Sequence, residues 1–325
     1  MLSVKNRQRG SLLLMIITIL LIGAACQQPI ERTYRSPAPP AVTLAAPTLI
    51  VATRQPRAIA SATLPATAPT AALTTVRPSS SPVSAAAMPV PEAHPVTIGY
   101  SVEGRPIVAR RFGMGERILL IVGGIHGGWE ANTVALVEAL SEHFTAHPDA
   151  ILPGISIVVI PVANPDGLAR GTTQAGRFNA NGVDLNRNWG CGWSAEARWR
   201  AQQVDPGVRA FSEPETQALA AFIRALQPAA ALFYHSAADG IFAGTCPSAV
   251  RAGDSAALAA VLGEAAGYSY GEAFTAYPVT GTAASWAHGQ GIAAADVELS
   301  SRSDPEFERN LRGLLAVQRW LLAGG

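Results

Sequence analysis

The sequence predicts an α/β domain built on a layered, largely parallel sheet. Apolar runs of strand length occur without clean alternation, as expected of buried strands that helices cover. Helical patterns separate these runs along the chain, and strands that alternate with helices imply a layered sheet. The region that carries both patterns, residues 95–325, is long enough for one domain with a substantial core.

The predicted elements of this domain begin with extended segments at 95–111. Buried strands are predicted at Ile118–Val122, Ile155–Val162, Ala229–Tyr234 and Ile292–Leu299. Helices are predicted at Ala131–Ala146, Glu213–Leu226, Ser255–Ala266 and from the turn at 303–306 to about Leu322. Before the second helix, Ser212 to Glu215 has the arrangement of a capping box, with Pro214 in the first turn.

The first 26 residues have the pattern of a secretory signal. Three basic residues precede an apolar run, Leu12 to Ala25, which is too short for a comfortable membrane span. Small residues directly before Cys26 resemble a bacterial lipoprotein signal, although Gly23 stands where that motif usually has Leu. We predict a signal peptide at 1–26 with Cys26 as a candidate lipidation site; a plain secretion signal and an uncleaved anchor are the alternatives. Each places the rest of the chain outside the cytoplasm, anchored to the membrane or secreted.

Residues 27–94 are dominated by Pro, Ala, Thr and Ser. This composition does not bury enough apolar surface to offset the ordering of the backbone, and dense Pro favours extended conformations. We therefore predict a semi-stiff spacer between the membrane and a catalytic domain at 95–325. The net charge of +1, without a basic patch and interleaved aromatic residues, argues against a nucleic-acid partner, and we expect a monomer.

A candidate zinc site begins at a glycine turn that follows the first buried strand. The turn presents His126 and Glu130 four residues apart, so both side chains can point the same way if a helix begins near Gly128. Alone, such a His is more often a packed or hydrogen-bonding residue. However, His235 and Glu298 also close apolar runs, and sites in open α/β sheets gather at the carboxyl ends of strands. Two His and one Glu form a ligand set of catalytic zinc, and Glu298 is a candidate general base whose alternative role is to pair with an arginine.

The segment 177–189 predicts a polar loop that is dense in Asn. Arg187 offers a planar fork suited to a carboxylate, and Asn186 offers an amide to the same group. Arg177 is a candidate for stabilising an oxyanion. The alternative is a solvated surface loop.

Of the three cysteines, Cys191 and Cys246 remain as a pair if Cys26 is lipidated or removed. In an oxidising compartment a disulfide between them is the natural interpretation. Two metal-binding thiolates are disfavoured because the spacing of zinc-binding Cys pairs is lacking.

Seven motifs of the domain, in the same order, resemble those of the zinc carboxypeptidases. They span about residues 96–323 and are His126 with Glu130, Asn164-Pro165-Asp166-Gly167, Arg177, Asp184-Leu185-Asn186-Arg187-Asn188, His235-Ser236, Tyr277-Pro278-Val279-Thr280-Gly281 and Val297-Glu298-Leu299. The resemblance implies a three-layer α/β/α fold with a mixed, mostly parallel sheet of about eight strands, and one zinc ion.

The resemblance also implies a role for each matching position. The zinc ligands are His126, Glu130 and His235. The catalytic residues are Arg177, which polarises the scissile carbonyl, and Glu298, the general base and acid. The substrate-binding residues are Asn186 and Arg187, which hold the terminal carboxylate, and Tyr277, which closes over the substrate.

Two features depart from that family's pattern. The family usually separates the first His and Glu by three positions, whereas His126 and Glu130 are four apart. In the region that lines the side-chain pocket, Ala284 and Ser285 supply neither charge nor bulk, so the sequence does not indicate the preferred terminal residue.

These features predict an extracytoplasmic zinc metallocarboxypeptidase, with a peptide or cell-wall peptide that has a free terminal carboxylate as substrate. The membrane is the other expected partner, through a lipid anchor. The alternatives are an amidohydrolase of small acylated amino acids on the same fold, and a surface binding module without catalysis.

Overall fold

A computed structural model describes residues 95–271, 274 and 276–325. The predicted signal peptide at 1–26, its candidate lipidation site Cys26 and the predicted spacer at 27–94 lie outside these residues. Within the described part of the chain, none of the helices is both long and apolar enough to cross a membrane.

Eight strands form one mixed sheet, and two short strands pair separately. The strands are β1 (Val96–Tyr100), β2 (Pro106–Phe112), β3 (Arg117–Val122), β4 (Ile155–Ile160), β5 (Arg198–Trp199), β6 (Gln202–Gln203), β7 (Ala230–Ser236), β8 (Gly240–Ala243), β9 (Ser269–Tyr270) and β10 (Ala293–Leu299). The large sheet has the order β1-β2-β4-β3-β7-β10-β8-β9. Its central strands β4, β3, β7 and β10 are parallel, and β1, β2 and β8 add antiparallel pairs.

Helices cover both faces of this sheet. They are α1 (Ala131–Ala146), α2 (Pro165–Ala169), α3 (Pro214–Leu226), α4 (Ser255–Ala266), α5 (Ala283–Gly289) and α6 (Phe307–Leu322). Alternate residues of β3 belong to different apolar clusters, as the period of a strand requires. Leu119 packs in a cluster with α1, α4 and α6, whereas Leu120 packs in one with α3 and α5. The predicted three-layer α/β/α fold with a mixed eight-stranded sheet is confirmed.

The start of α3 differs from the predicted capping box. The residue before the helix is Glu213, whose side chain makes no capping hydrogen bond, and Ser212 Oγ donates to Glu213 Oε1 at 2.7 Å instead. Glu213 Oε2 accepts from the amides of Asn179 and Asn181. The carboxylate is therefore used to hold the polar loop against α3 rather than to cap the helix.

Candidate active site

The turn between β3 and α1 explains how His126 and Glu130 meet at a spacing of four. A short 3₁₀ helix spans Gly127–Glu130, and Gly127 has a left-handed φ of +43°. A Cβ atom at Gly127 would lie 2.5 Å from the carbonyl carbon of Gly167, and one at Gly128 would lie 2.3 Å from the carbonyl oxygen of Gly171. Only glycine fits this close backbone approach. The turn brings Nδ1 of His126 within 2.9 Å of Glu130 Oε1.

His235, at the end of β7, completes a three-residue cluster. Its Nδ1 lies 3.2 Å from His126 Nδ1 and 3.2 Å from Glu130 Oε2. All three residues are buried, and each offers a ligand atom within 4.8 Å of the others. Two ring nitrogens face each other at this distance, which places either a proton or a metal ion between them. Zinc bonds nitrogen and oxygen at about 2.1 Å, so one ion can span these separations. The cluster fits one Zn²⁺.

A carboxylate on the far side of the His126 ring favours the tautomer in which Nδ1 carries no proton. Asp184, which is fully buried, lies with Oδ1 3.3 Å from His126 Nε2 and can accept its proton. Asp184 Oδ2 also accepts from Arg177, at 2.9 Å from both Nε and Nη2. Burial opposes ionisation of Asp184, but Arg177 and then His126 hold its pKa well below its usual range. A permanent carboxylate thus fixes the ring nitrogen that faces the cluster.

His235 is held between carboxylates in a similar way. Its Nε2 lies 3.3 Å from Asp296 Oδ1 and 3.2 Å from Asn186 Nδ2. Burial alone would lower the pKa of His235, but Asp296 and Glu130 raise it to about 10. Burial likewise opposes ionisation of Glu130, and the two histidines lower its pKa below its usual range. The cluster therefore has a strong preference for bound positive charge, as a cation site requires.

Glu298 lies beside the cluster on the neighbouring strand. It pairs in register with His235 across β10 and β7, and its side chain shares a strand face with Asp296, two residues earlier. Burial and then repulsion from Glu130 raise the pKa of Glu298 to about 7. A carboxylate with that pKa can take up and release a proton near neutral pH.

Asn186 contacts Nε2 of His235, Arg187 follows it in the chain, and Tyr277 packs against the apolar cluster that contains Trp199. Arg187 is buried and donates to two backbone carbonyls, from Nε to Arg198 and from Nη1 to Asn186. No carboxylate pairs with it among the described residues. Because a guanidinium has five N–H donors, it retains donors for a ligand. Asn186 Oδ1 accepts from the backbone of Ala283, and its amide nitrogen has two N–H donors, one of which can serve a ligand while the other faces His235 Nε2.

The zinc-fitting cluster, Glu298 and Arg187 line one cavity of about 1020 Å³. Every predicted ligand, catalytic and substrate-binding residue contributes to its wall: His126, Glu130, Arg177, Asn186, Arg187, His235, Tyr277 and Glu298. Tyr277 is half-buried and packs edge to face on Phe274, with ring centroids 4.9 Å apart.

The structure also places residues in the site to which the sequence analysis gave no role. Asp184 and Asp296 support the two histidines, and Trp199 lies under Arg177, whose guanidinium carbon is 4.6 Å from the ring centroid. Arg302 lines the same cavity. Asp184 and Asp296 could have been predicted from the sequence, because each stands two residues before a predicted site residue. Nothing local in the sequence marks Trp199 or Arg302.

The two cysteines Cys191 and Cys246 form a disulfide, with their Cα atoms 5.9 Å apart. The bond joins the segment after the polar loop to the segment after β8. Cys191 itself lines the cavity, so the bond braces two parts of its wall against each other.

This pairing predicts the number of free thiols in the unfolded, unreduced protein. In a Cys26→Ser variant we expect no reactive thiol, because the two remaining cysteines are bonded to each other. A thiol-reactive dye in denaturant measures the number directly, and the reduced protein, which should give two, is the control. Two thiols before reduction would contradict the disulfide.

Comparison with known proteins agrees with this geometry. Residues 85–313 match the family profile described as zinc carboxypeptidase. The chain is 37% identical over 126 residues to murein peptide amidase A of Escherichia coli K12, a stretch that covers 36% of this chain and 48% of that protein. The chain thus spans about half the length of that relative, and only 16% of a bacteriocin from Clostridium perfringens that it also matches.

Solved structures share the fold at low identity. Bovine thrombin-activatable fibrinolysis inhibitor aligns with a TM-score of 0.62 and 20% identity, over 72% of this chain and 92% of that one. Murein-tripeptide amidase from E. coli O157 aligns with a TM-score of 0.53 and 24% identity, over 70% and 92%. With a family profile that matches more than half of its length and a His-Glu-His cluster that fits zinc, this chain belongs to the zinc carboxypeptidase family.

Proposed function

We propose that the protein is a zinc metallocarboxypeptidase that hydrolyses the last peptide bond of substrates with a free terminal carboxylate. The observation that carries this proposal is the meeting, in one cavity, of a zinc-fitting cluster, a carboxylate with a pKa near neutrality and an arginine without a carboxylate partner. His126, Glu130 and His235 supply the first, and Glu298 and Arg187 the others. A binding module without catalysis would not need a carboxylate with a pKa near neutrality.

Glu298 performs the proton transfers of the proposed reaction. When bound, zinc would polarise the scissile carbonyl and acidify water in the cavity. Glu298 accepts the proton of the attacking water and then delivers it to the leaving amine. Arg177 stabilises the negative charge that develops on the carbonyl oxygen, since its Nη1 is 3.5 Å from Glu130 Oε1 and thus borders the ligand cluster.

Arg187 and Asn186 orient the substrate. The free donors of Arg187 and the amide of Asn186 suit a carboxylate, and binding it there places the last peptide bond next to the cluster. Tyr277, half-buried at the cavity wall, closes over the bound residue. The alternative, an amidohydrolase of small acylated amino acids, is disfavoured because the chain retains Tyr277 as well as the full clamp loop of Asn186 and Arg187.

We further infer that the protein works outside the cytoplasm and that cell-wall peptides are among its substrates. The apolar run before Cys26 and the disulfide between Cys191 and Cys246 support an oxidising compartment. The likeness to murein peptide amidase A supports a cell-wall substrate.

The proposed binding of the terminal carboxylate by Arg187 and Asn186 is tested by comparing peptides with free and amidated C-termini. The purified protein, shown by metal analysis to hold one zinc, should cleave only the free forms, and a chelator should stop cleavage. Arg187→Ala should raise KM for the free peptide by about tenfold or more, because a charge-assisted hydrogen bond is lost.

Arg198→Ala is the matched control for this experiment. Its backbone carbonyl still accepts from Arg187, and its exposed side chain is not part of the cavity wall. We expect its KM to match that of the wild type. Cleavage of amidated peptides as fast as free ones would show that the arginine clamp is assigned wrongly.

A further inference from the structure

Asn132 is a buried polar side chain without a function in the proposed reaction. It is the second residue of α1, two positions after the ligand Glu130, and only 6% of it is exposed. Asn is a weaker helix former than Ala or Leu, so the helix itself gives no reason for an amide at this position. The reason lies in the partners of Asn132 in the folded chain.

Asn132 makes three hydrogen bonds to two distant segments. Its Nδ2 donates to the carbonyl oxygens of Ser301, at 2.8 Å, and Asp304, at 3.1 Å, in the β10–α6 loop at 300–306. Its Oδ1 accepts from Ser236 Oγ at 3.0 Å. Because the two carbonyls only accept and the hydroxyl donates, these partners fix which way the amide points. A carboxylate lacks the donors and an alkyl group lacks both functions, so the three partners together require an amide.

Both segments that Asn132 contacts carry a residue of the active site. Ser236 directly follows the ligand His235 and is the last residue of β7. Ser301 lies three positions after the proposed base Glu298, which stands near the end of β10. One side chain therefore joins the start of α1 to the strand of a ligand and to the segment that follows the base.

The β10–α6 loop meets α1 as a closed turn. Asp304 donates its backbone N–H to Ser301 Oγ at 3.1 Å, which ties together the two residues whose carbonyls Asn132 contacts. Arg302, between them, stacks on Trp129 with its guanidinium carbon 4.2 Å from the ring centroid. Within the described part of the chain, no hydrogen bond other than those from Asn132 connects this loop to α1.

Glu298 stands where the pairing of its strand holds it least. The parallel register of β10 with β7 ends at Leu299 opposite Ser236, one residue after Glu298. The ends of strands open more readily than their centres unless the following segment is anchored. Asn132 anchors both strands at once, because it bonds Ser236 at the end of β7 and the loop that follows β10.

We propose that Asn132 is a positioning residue, which holds the carboxylate of Glu298 at a fixed distance from the zinc-fitting cluster of His126, Glu130 and His235. None of its hydrogen-bond partners is a ligand atom, and it is not part of the cavity wall, so it acts through the segments that it joins. A displacement of about 1 Å in a reacting group can cost about a hundredfold in rate. This inference rests on the proposed function, because it takes Glu298 as the base.

Asn132→Leu keeps the approximate volume of the side chain and removes all three hydrogen bonds. In the full zinc-loaded chain we expect kcat for a peptide with a free C-terminus to fall by about a hundredfold. KM should stay near the wild-type value because Arg187 and Asn186 are untouched, and zinc content should remain at one ion per chain. Ser236→Ala removes one of the three bonds and should lower kcat by a smaller factor.

Gln318→Met is the matched control. Gln318 is also a buried amide that uses both functions: its Oε1 accepts from Leu152 N at 2.8 Å, and its Nε2 donates to the carbonyl of Ala150 at 3.2 Å. None of these three residues is part of the cavity wall. Loss of this amide should lower the melting temperature, as Asn132→Leu does, and leave kcat and KM unchanged.

The cobalt(II)-loaded protein gives a readout that does not require turnover. The visible absorption of bound cobalt(II) responds to the groups that surround the ion. Since Glu298 lies beside the cluster, Glu298→Gln should change this spectrum, and Asn132→Leu should change it in the same direction. Gln318→Met should leave the spectrum as in the wild type. Adding Asn132→Leu to Glu298→Gln should change it no further, because the two substitutions act through one group.

Three results overturn the inference. They are a kcat of Asn132→Leu equal to that of Gln318→Met, a loss of zinc from Asn132→Leu, which would place the effect at the ligands, and a cobalt spectrum identical to that of the wild type. If Asn132→Leu does not fold, the same comparisons apply to Ser236→Ala, and wild-type values there overturn the inference. If the wild type cleaves no peptide, the proposed function fails, whereas the cobalt spectra still decide the role of Asn132.

Discussion

Glu298→Gln is expected to bind zinc as the wild type does and to lose turnover by on the order of a thousandfold in kcat. The amide keeps the shape of the side chain but does not accept the proton of the attacking water. The zinc ligands are untouched, because Glu298 stands on β10 while the ligands come from the turn after β3 and from β7. Zinc content by metal analysis and steady-state kinetics on a peptide with a free C-terminus measure the two effects.

Glu308→Gln is the control, since Glu308 is an exposed carboxylate at the start of α6. It should behave as the wild type in both measurements. Normal turnover in Glu298→Gln would remove Glu298 from the role of base.

The base must be ionised, so wild-type kcat/KM should fall as the pH drops through the pKa of Glu298. Burial and Glu130 raise that pKa to about 7, and a bound divalent ion moves the fall to lower pH.

Glu130→Gln is expected to lower the affinity for zinc by about a hundredfold or more. Changing a residue that only hydrogen-bonds to a ligand costs about tenfold to a hundredfold, and a ligand itself should cost at least as much. An amide is a neutral and weaker ligand, and it removes the negative charge that both histidines contact. This variant tests the unusual spacing of four residues from His126. Competition with a chromophoric chelator measures the affinity.

Glu138→Gln provides the matched control for that variant. Glu138 is the next acidic residue along the chain, and it pairs with Arg110 at 2.6 Å rather than with the cluster. Its zinc affinity should equal that of the wild type. If Glu130→Gln also retains full affinity, Glu130 is not a ligand and the cluster lacks its third protein donor.

The buried strands could be predicted because their physical signal is local. The central strands are largely buried and rich in apolar residues, and His126, His235 and Glu298 lie at or after the carboxyl ends of β3, β7 and β10, so these runs identify both the sheet and the edge at which the site lies. The short elements β8, β9 and α5 were missed. Their few residues carry little periodicity, and they are fixed by neighbours such as β10, which pairs with β8.

The parts of the site that escaped prediction depend on contacts between distant segments. Trp129 and Arg302 are 173 positions apart in the sequence and meet only in the folded chain. The same holds for Trp199 beneath Arg177. The capping-box prediction failed for a related reason: Glu215, the acid of the predicted box, accepts from the backbone of Val102 and the amide of Asn179 instead. Local patterns do not include such competitors.

The glycine turn before Glu130 has a consequence for how firmly the first two ligands are held. Gly127 and Gly128 rest on the backbone of Gly167 and Gly171, with no side chain at the contact. A contact between two backbones involves no side chain that could change rotamer. The junction therefore has few low-energy ways to move. The separation of the His126 and Glu130 backbones is then fixed by the turn, and contacts with Asp184 and His235 orient the two side chains. Such preorganisation reduces the conformational entropy that is lost when the ion binds. The same close contact excludes any residue other than glycine at positions 127 and 128.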